Sequence, residues 1–243
     1  MAKVGSALFC NDGVNFGKGE SMETFGSTTM VSVLLVIIAI SVFIAFSFHS
    51  GRQKNKEIYT AVFSDLVNVF KPDDQTFTNI GGAVGYHGTF SFKERGSVSR
   101  IDVTLTLLPR QAPLYMPISK FLMKYDRLFI SVYMRYPPPG EGHIIERGYT
   151  GFRGPEITNI SRLRRMEFKW GGLEFFLYYE QDRMIDQFKT LIASLQGPGP
   201  IRHIAIVPDQ RRGYIFMGLQ KEPIEAYLAP VYDWLFRVFE PYD

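Results

Sequence analysis

The chain has 243 residues, 46% of them hydrophobic and 15% aromatic, with a formal net charge of +3. So mild a balance excludes an argument for nucleic-acid binding from net charge alone, and local clusters must carry any such case. The one cysteine, Cys10, excludes a disulfide framework and fits a reducing compartment for the large domain.

Residues 1–29 are rich in Gly, Ser and Thr without periodicity and read as a flexible N-terminal tail. Residues 30–48 form an apolar run with no charge. About 20 apolar residues in a helix cross a bilayer core of roughly 30 Å, so the run predicts a transmembrane helix. A buried soluble helix would carry a polar face. A signal peptide would place its apolar stretch nearer the N-terminus and end it in a small-x-small site; here Phe46-Ser47-Phe48-His49 closes the run. Lys3 and Lys18 precede it among Asp12, Glu20 and Glu23, whereas Arg52, Lys54 and Lys56 follow at once. That asymmetry places the C-terminal part in the cytoplasm and the N-terminus outside or in the lumen, as a single-pass protein of the ER or a prokaryotic plasma membrane.

Residues 49–80 read as a membrane-proximal helix and linker: Ile58, Val62, Leu66, Val69 and Phe70 recur at helical spacing and stop before Pro72. Residues 81–243 read as a cytosolic α+β domain. Tyr86, Gly88, Phe90 and Phe92 alternate with polar residues, as do Ile101, Val103, Leu105 and Leu107, giving a hairpin connected near Arg95-Gly96-Ser97. Pro117 opens a short helix with Ile118, Phe121, Leu122 and Tyr125 on one face, and Leu128 to Met134 make a third strand. Residues 137–160 are glycine-rich and aperiodic, either an ordered functional loop or a disordered insertion. Two strands then flank the tight turn Gly171-Gly172. A helical stripe runs from Met184 to Leu195, strands follow at 201–207 and 214–219, and Pro223 starts a last helix. The order strand-strand-helix-strand occurs twice, with a C-terminal helix. The fold expected is therefore α+β: one N-terminal transmembrane helix and two similar sheet-and-helix units side by side.

Catalytic patterns are scarce. His49, His87, His143 and His203 stand in no metal-ligand spacing, and no nucleophile elbow or phosphate loop occurs. His203, beside Arg202 on a strand, reads as part of a solvated face. No catalytic, cofactor or metal residue is expected, and the protein is read as a non-enzyme. What stands out is basic: Arg153, Arg162, Arg164, Arg165 and Lys169 around the long loop, Arg202, and Arg211-Arg212 at a hairpin turn. Arginine forks suit phosphate, in an RNA backbone or in anionic lipid heads. The competing reading is a solvated basic face balanced by Glu146, Glu156 and Glu167. Within the span, Ser32, Ser41 and Ser47 are candidates for packing against other spans.

The layout of one span, the exit Gly51-Arg52-Gln53-Lys54-Asn55, and a strand-rich domain resembles the calumin family. These are coiled-coil-domain ER membrane proteins of the PAT (protein associated with translocon) complex. Local matches are that exit, the strand pair running into Leu107-Leu108-Pro109-Arg110, and Phe175-Phe176-Leu177-Tyr178-Tyr179 running into the following helix. The resemblance implies a non-enzymatic accessory, beside the Sec translocon at the ribosome exit, that helps multipass proteins insert and fold. The family's acidic luminal segment and extended basic C-terminal helix have no counterpart here, which fits a minimal, archaeal-type relative. The partners expected are Sec translocon or insertase subunits, ribosomal RNA backbone and membrane lipid. The alternatives are a membrane-tethered module that binds lipid or another apolar ligand in a cavity between aromatic-rich sheets, and a structural subunit of another membrane complex.

Overall fold

The apolar run lies in helix α1, Glu20–Phe70, of the computed structural model, which describes residues 20–93, 96–150, 154–219 and 223–239. Among these, one helix is long and apolar enough to cross a membrane. The helix begins ten residues before the apolar run, so the later part of the expected flexible tail is helical. A long helical run propagates cheaply into flanking residues that hold no proline. The chain divides into two compact units, Met1–Phe46 and Ser47–Asp243. In the first, the side chains from Met30 to Phe46 are exposed throughout, as a helix apolar all round requires of its surroundings.

In the second unit the end of α1 is core. Leu66 and Phe70 are buried, and Lys71 ends the helix in the left-handed region at φ 46°. The remaining elements are β1 (Asp74–Asn79), β2 (Gly85–Ser91), β3 (Val98–Thr106), α2 (Met116–Met123), β4 (Asp126–Met134), β5 (Gly142–Glu146), β6 (Arg164–Trp170), β7 (Leu173–Tyr179), α3 (Asp182–Ala193), β8 (Ile201–Val207), β9 (Arg212–Leu219) and α4 (Glu225–Val238). The nine strands make one sheet in the order β1-β2-β3-β4-β9-β8-β5-β7-β6, with every ladder antiparallel. The fold is α+β.

One face of the sheet carries the core. Ile101, Val103, Leu128, Ile130, Ile204 and Ile215 point into it and are fully buried. Residues of α1 pack there through Phe70 on Phe90 and Tyr59 on Tyr86, and α4 packs through Tyr232 on Phe70 and Trp234 on Phe188 of α3. These aromatic residues fill the interior, and the described strands form one sheet, so the expected cavity between two sheets has no counterpart among the described residues. The opposite face is covered in part by the 147–163 connection, whose Tyr149 stacks on Phe216 while Ile157 and Leu163 pack on Ile145, Phe176 and Tyr178.

Three expectations need correction. The linker to residue 80 contains β1, an edge strand paired with β2. The aperiodic stretch 137–160 contains β5, which pairs with both β7 and β8. The two units repeat in order but not in arrangement: β2, β3 and β4 are neighbours, whereas β5 separates β7 from β8. The turn at Gly171 and Gly172 is as expected, with φ of 56° and 80°, the pair of left-handed residues that a two-residue hairpin favours.

Candidate functional site

Asn55 sits on α1 one turn after Gly51 and is completely buried. Its Nδ2 donates to the carbonyls of Ala83 and Leu108, each at 2.9 Å. Its Oδ1 accepts from Arg110 Nη1 at 3.0 Å. Arg110 in turn forks onto the Asp126 carboxylate at 2.9 and 2.8 Å, and that carboxylate also accepts from the Leu108 N–H at 2.7 Å. Gly51 lies so close that a Cβ there would stand 2.1 Å from the Arg110 carbonyl oxygen. One turn of α1 therefore pins the start of β2, the connection from β3 to α2, and the start of β4. This is the Gly51 end of the sheet. The far end holds the opposite termini of these strands, about 20 Å away for seven residues of strand.

Helix α2 spans the gap between Arg110 and Asp126 and so belongs to the Gly51 end. Its apolar face is open, and so is Leu114 in the turn just before it. Leu114 is 79% exposed, Ile118 55%, Phe121 83% and Leu122 44%, while Ser119 is buried. Periodicity identifies an apolar face, but not what covers it.

The structure divides the basic residues expected to form one contact surface. Arg162, Arg164, Arg165, Arg211 and Arg212 gather at the far end; Lys169 and Arg202 lie toward the Gly51 end, and Arg153 is outside the described residues. Arg202 is buried and bonded to Glu146 at 3.0 Å, with Nη1 donating to the Gly199 and Ile201 carbonyls, so it is a structural cation and no contact surface. Arg164 pairs with Asp182 and Arg165 with Glu167. Arg211 donates to the Arg135 carbonyl, and Arg212 lies over the Tyr133 ring, with Arg100 on the same ring. Among the described residues Arg135, Arg211 and Arg212 have no carboxylate within ion-pair distance. Ser32 and Ser41 donate to the Thr28 and Ile37 carbonyls of their own helix, and Ser47 is half-buried.

A groove flanks α1. Tyr59, Phe63, Val67, Phe77 and Tyr86 line an apolar part of about 600 Å³. It shares Tyr59 and Tyr86 with a wider part, about 1050 Å³, that reaches His49, Arg52 and Lys56.

The sequence reading missed a buried polar row under the 147–163 connection. Glu141 Oε1 accepts from His143 Nε2 at 3.0 Å, and His143 Nδ1 lies 3.4 Å from His203 Nε2. Asn159 donates to the other Glu141 oxygen at 3.1 Å. The hydrogen bond from His143 holds the Glu141 carboxyl below the usual range, against the opposing effect of burial. One proton lies between His143 Nδ1 and His203 Nε2, and the other ring nitrogen of His203, Nδ1, is buried without a partner among the described residues. Burial drives the His203 pKa down to about 3, with His143 adding to the effect. The two histidines lie 60 positions apart and meet only through the β5–β8 ladder, so no local spacing could have revealed them. Among the described residues no three His, Cys, Asp or Glu side chains are grouped to hold a metal.

This row predicts acid sensitivity. Between about pH 6.5 and 3 the unfolded chain binds a proton at His203 that the native chain refuses, so stability falls as pH falls, by up to about 1.4 kcal/mol per pH unit. Glu141 acts in the same direction at lower pH, since its lowered pKa stabilises the fold only while it stays ionised. Urea titrations at pH 7, 6 and 5 should show the decline, and His203→Leu should flatten it between pH 6 and 5. An equal slope in both proteins would mean that His203 is not its source.

No family model matches the sequence, and no curated protein is significantly similar to it.

Proposed function

We propose that this protein is a membrane-anchored, non-catalytic accessory of membrane-protein insertion or folding, with its large domain in the cytoplasm. Its partners are subunits of a Sec translocon or insertase, and RNA phosphate of a ribosome engaged there. The observation that carries this reading is the gathering of Arg135, Arg211 and Arg212 at the end of the domain opposite Gly51, held by backbone carbonyls and the Tyr133 ring and without carboxylate partners among the described residues. Guanidinium groups without a carboxylate beside them are available to phosphate, which they hold in a bidentate fork. The cluster Arg52, Lys54 and Lys56 supports the cytoplasmic orientation, and the resemblance to the calumin family supports the translocon setting.

Co-sedimentation of the full chain with ribosomes over a salt series tests it. Arg211→Glu with Arg212→Glu should weaken binding about tenfold or more and reduce the salt slope by about 1 for each phosphate no longer bound. Charge reversal at Arg162, Arg164 and Arg165 should do less, because Asp182 and Glu167 already offset two of them. Sedimentation unchanged by either set removes the ribosome from the proposal.

The groove beside α1 favours a second reading, a tethered module for an apolar or amphipathic ligand. Its lining is aromatic at one part and cationic at the other, which suits a lipid with an anionic head. Mass spectrometry of the purified chain for co-purified lipid separates this reading from the first.

A further inference from the structure

We infer that α2 is an interfacial helix, lying in the headgroup layer of the same bilayer that holds the apolar run. The inference rests on that run being a membrane span and goes beyond the accessory role.

Three observations lead to the lipid surface. The first is the exposed apolar stripe: Ile118, Phe121 and Leu122 share one face of α2 at helical spacing, and Leu114 and Tyr115, in the turn just before it, are exposed as well. On a freely solvated domain such a stripe costs free energy at every position; at a lipid interface it gains. The second is position. Arg110 touches Gly51 backbone to backbone, and Asp126 closes the same clasp through Arg110 and Asn55, so both ends of the α2 segment are fixed to one turn of α1. Gly51 follows Phe48, the last residue of the apolar run, by three positions, about 4.5 Å of helix rise. Phe48 belongs to the same compact unit as α2, so a bilayer that holds Phe48 lies near α2, whereas a protein partner would have to be recruited.

The third observation is charge. No acidic residue occurs between Asp102 and Asp126, a stretch that carries Arg110, Lys120 and Lys124. The adjacent turns of α1 add Arg52, Lys54 and Lys56, of which Lys54 pairs with Glu57. Exposed lysines flanking an apolar stripe place their ammonium groups among lipid phosphates while their stems lie along the acyl boundary, and tyrosine favours the same layer.

The experiment is spin labelling of the full chain in vesicles of phosphatidylcholine and phosphatidylglycerol. With Cys10→Ser removing the only native thiol, single labels go at Ile118→Cys, at Ala39→Cys within the run, and at the exposed Lys189→Cys on α3. Collision with oxygen relative to an aqueous nickel chelate reads depth. The label at 118 should show a ratio several-fold above that at 189, and below that at 39. If 118 matches 189 while 39 is deep, the span stands and the interfacial helix is wrong. If 39 also matches 189, the anchor itself is wrong and the inference falls with it. All three positions are exposed, so labelling does not threaten the fold.

Discussion

Arg110→Met should lower the unfolding free energy of the domain by about 3–5 kcal/mol, because it strands a buried carboxylate. Asp126 keeps only 7% of its side chain exposed, and its two oxygens are met by the Arg110 fork and the Leu108 N–H. Removing the guanidinium leaves that charge desolvated and also deprives Asn55 Oδ1 of its donor. Urea titration of the full chain in nanodiscs measures the loss, with fluorescence of the buried Trp170 and Trp234 reporting on the domain. The double variant Arg110→Met, Asp126→Leu should recover much of it, since a buried pair replaced by apolar residues is often neutral. A single-variant loss under about 1 kcal/mol would show that water reaches Asp126 and that the clasp is weak.

Gly51→Ala is the second large effect, and its sign is the point. In an ordinary helix interior this change stabilises by about 0.5–1 kcal/mol. Here the added methyl would lie 2.1 Å from the Arg110 carbonyl oxygen and 2.5 Å from the Gln111 nitrogen, both backbone atoms. The β3–α2 connection must move away, which strains the Asn55 bonds to Leu108 and Arg110. A loss of about 1–3 kcal/mol is expected, the usual cost of overpacking a close contact. Ser50→Ala, one residue earlier and exposed, should be nearly neutral in the same titration. Stabilisation by Gly51→Ala would mean that helix and connection are not in contact.

The legibility of these features in the sequence followed physical lines. The alternating strands from Tyr86 to Met134 and the stripes of α3 and α4 were readable because one face of each is covered and the other is not, the apolar run because it is apolar on every face, and the Gly171-Gly172 turn because its backbone needs φ above zero. β1 was not readable, since its six residues are all exposed and only Phe77 is apolar. β5 was unreadable for the opposite reason: α3 covers one side and the 147–163 connection the other, so Gly142 to Ile145 are buried without alternation. The candidate sites were less legible than the fold. Gly51, Asn55 and Arg110 lie in two motifs that stand out only by resemblance, and the bonding of Asn55 and Arg110 depends on partners 16 to 55 positions away. Arg202 looked like its surface neighbours until Glu146 was placed beside it.

The two halves of the sheet meet along a single ladder, β4 against β9. Some 85 residues of chain separate the ends of those strands, which at 5–20 residues per second amounts to roughly 4–17 s of translation. During that interval β4 offers a bare row of amide and carbonyl groups, flanked by Leu128, Ile130 and Val132, that any passing strand can occupy. The nascent chain must therefore be guarded until its last strand emerges, and a synthesis slowed between β4 and β9 should yield more aggregate than one slowed before β4.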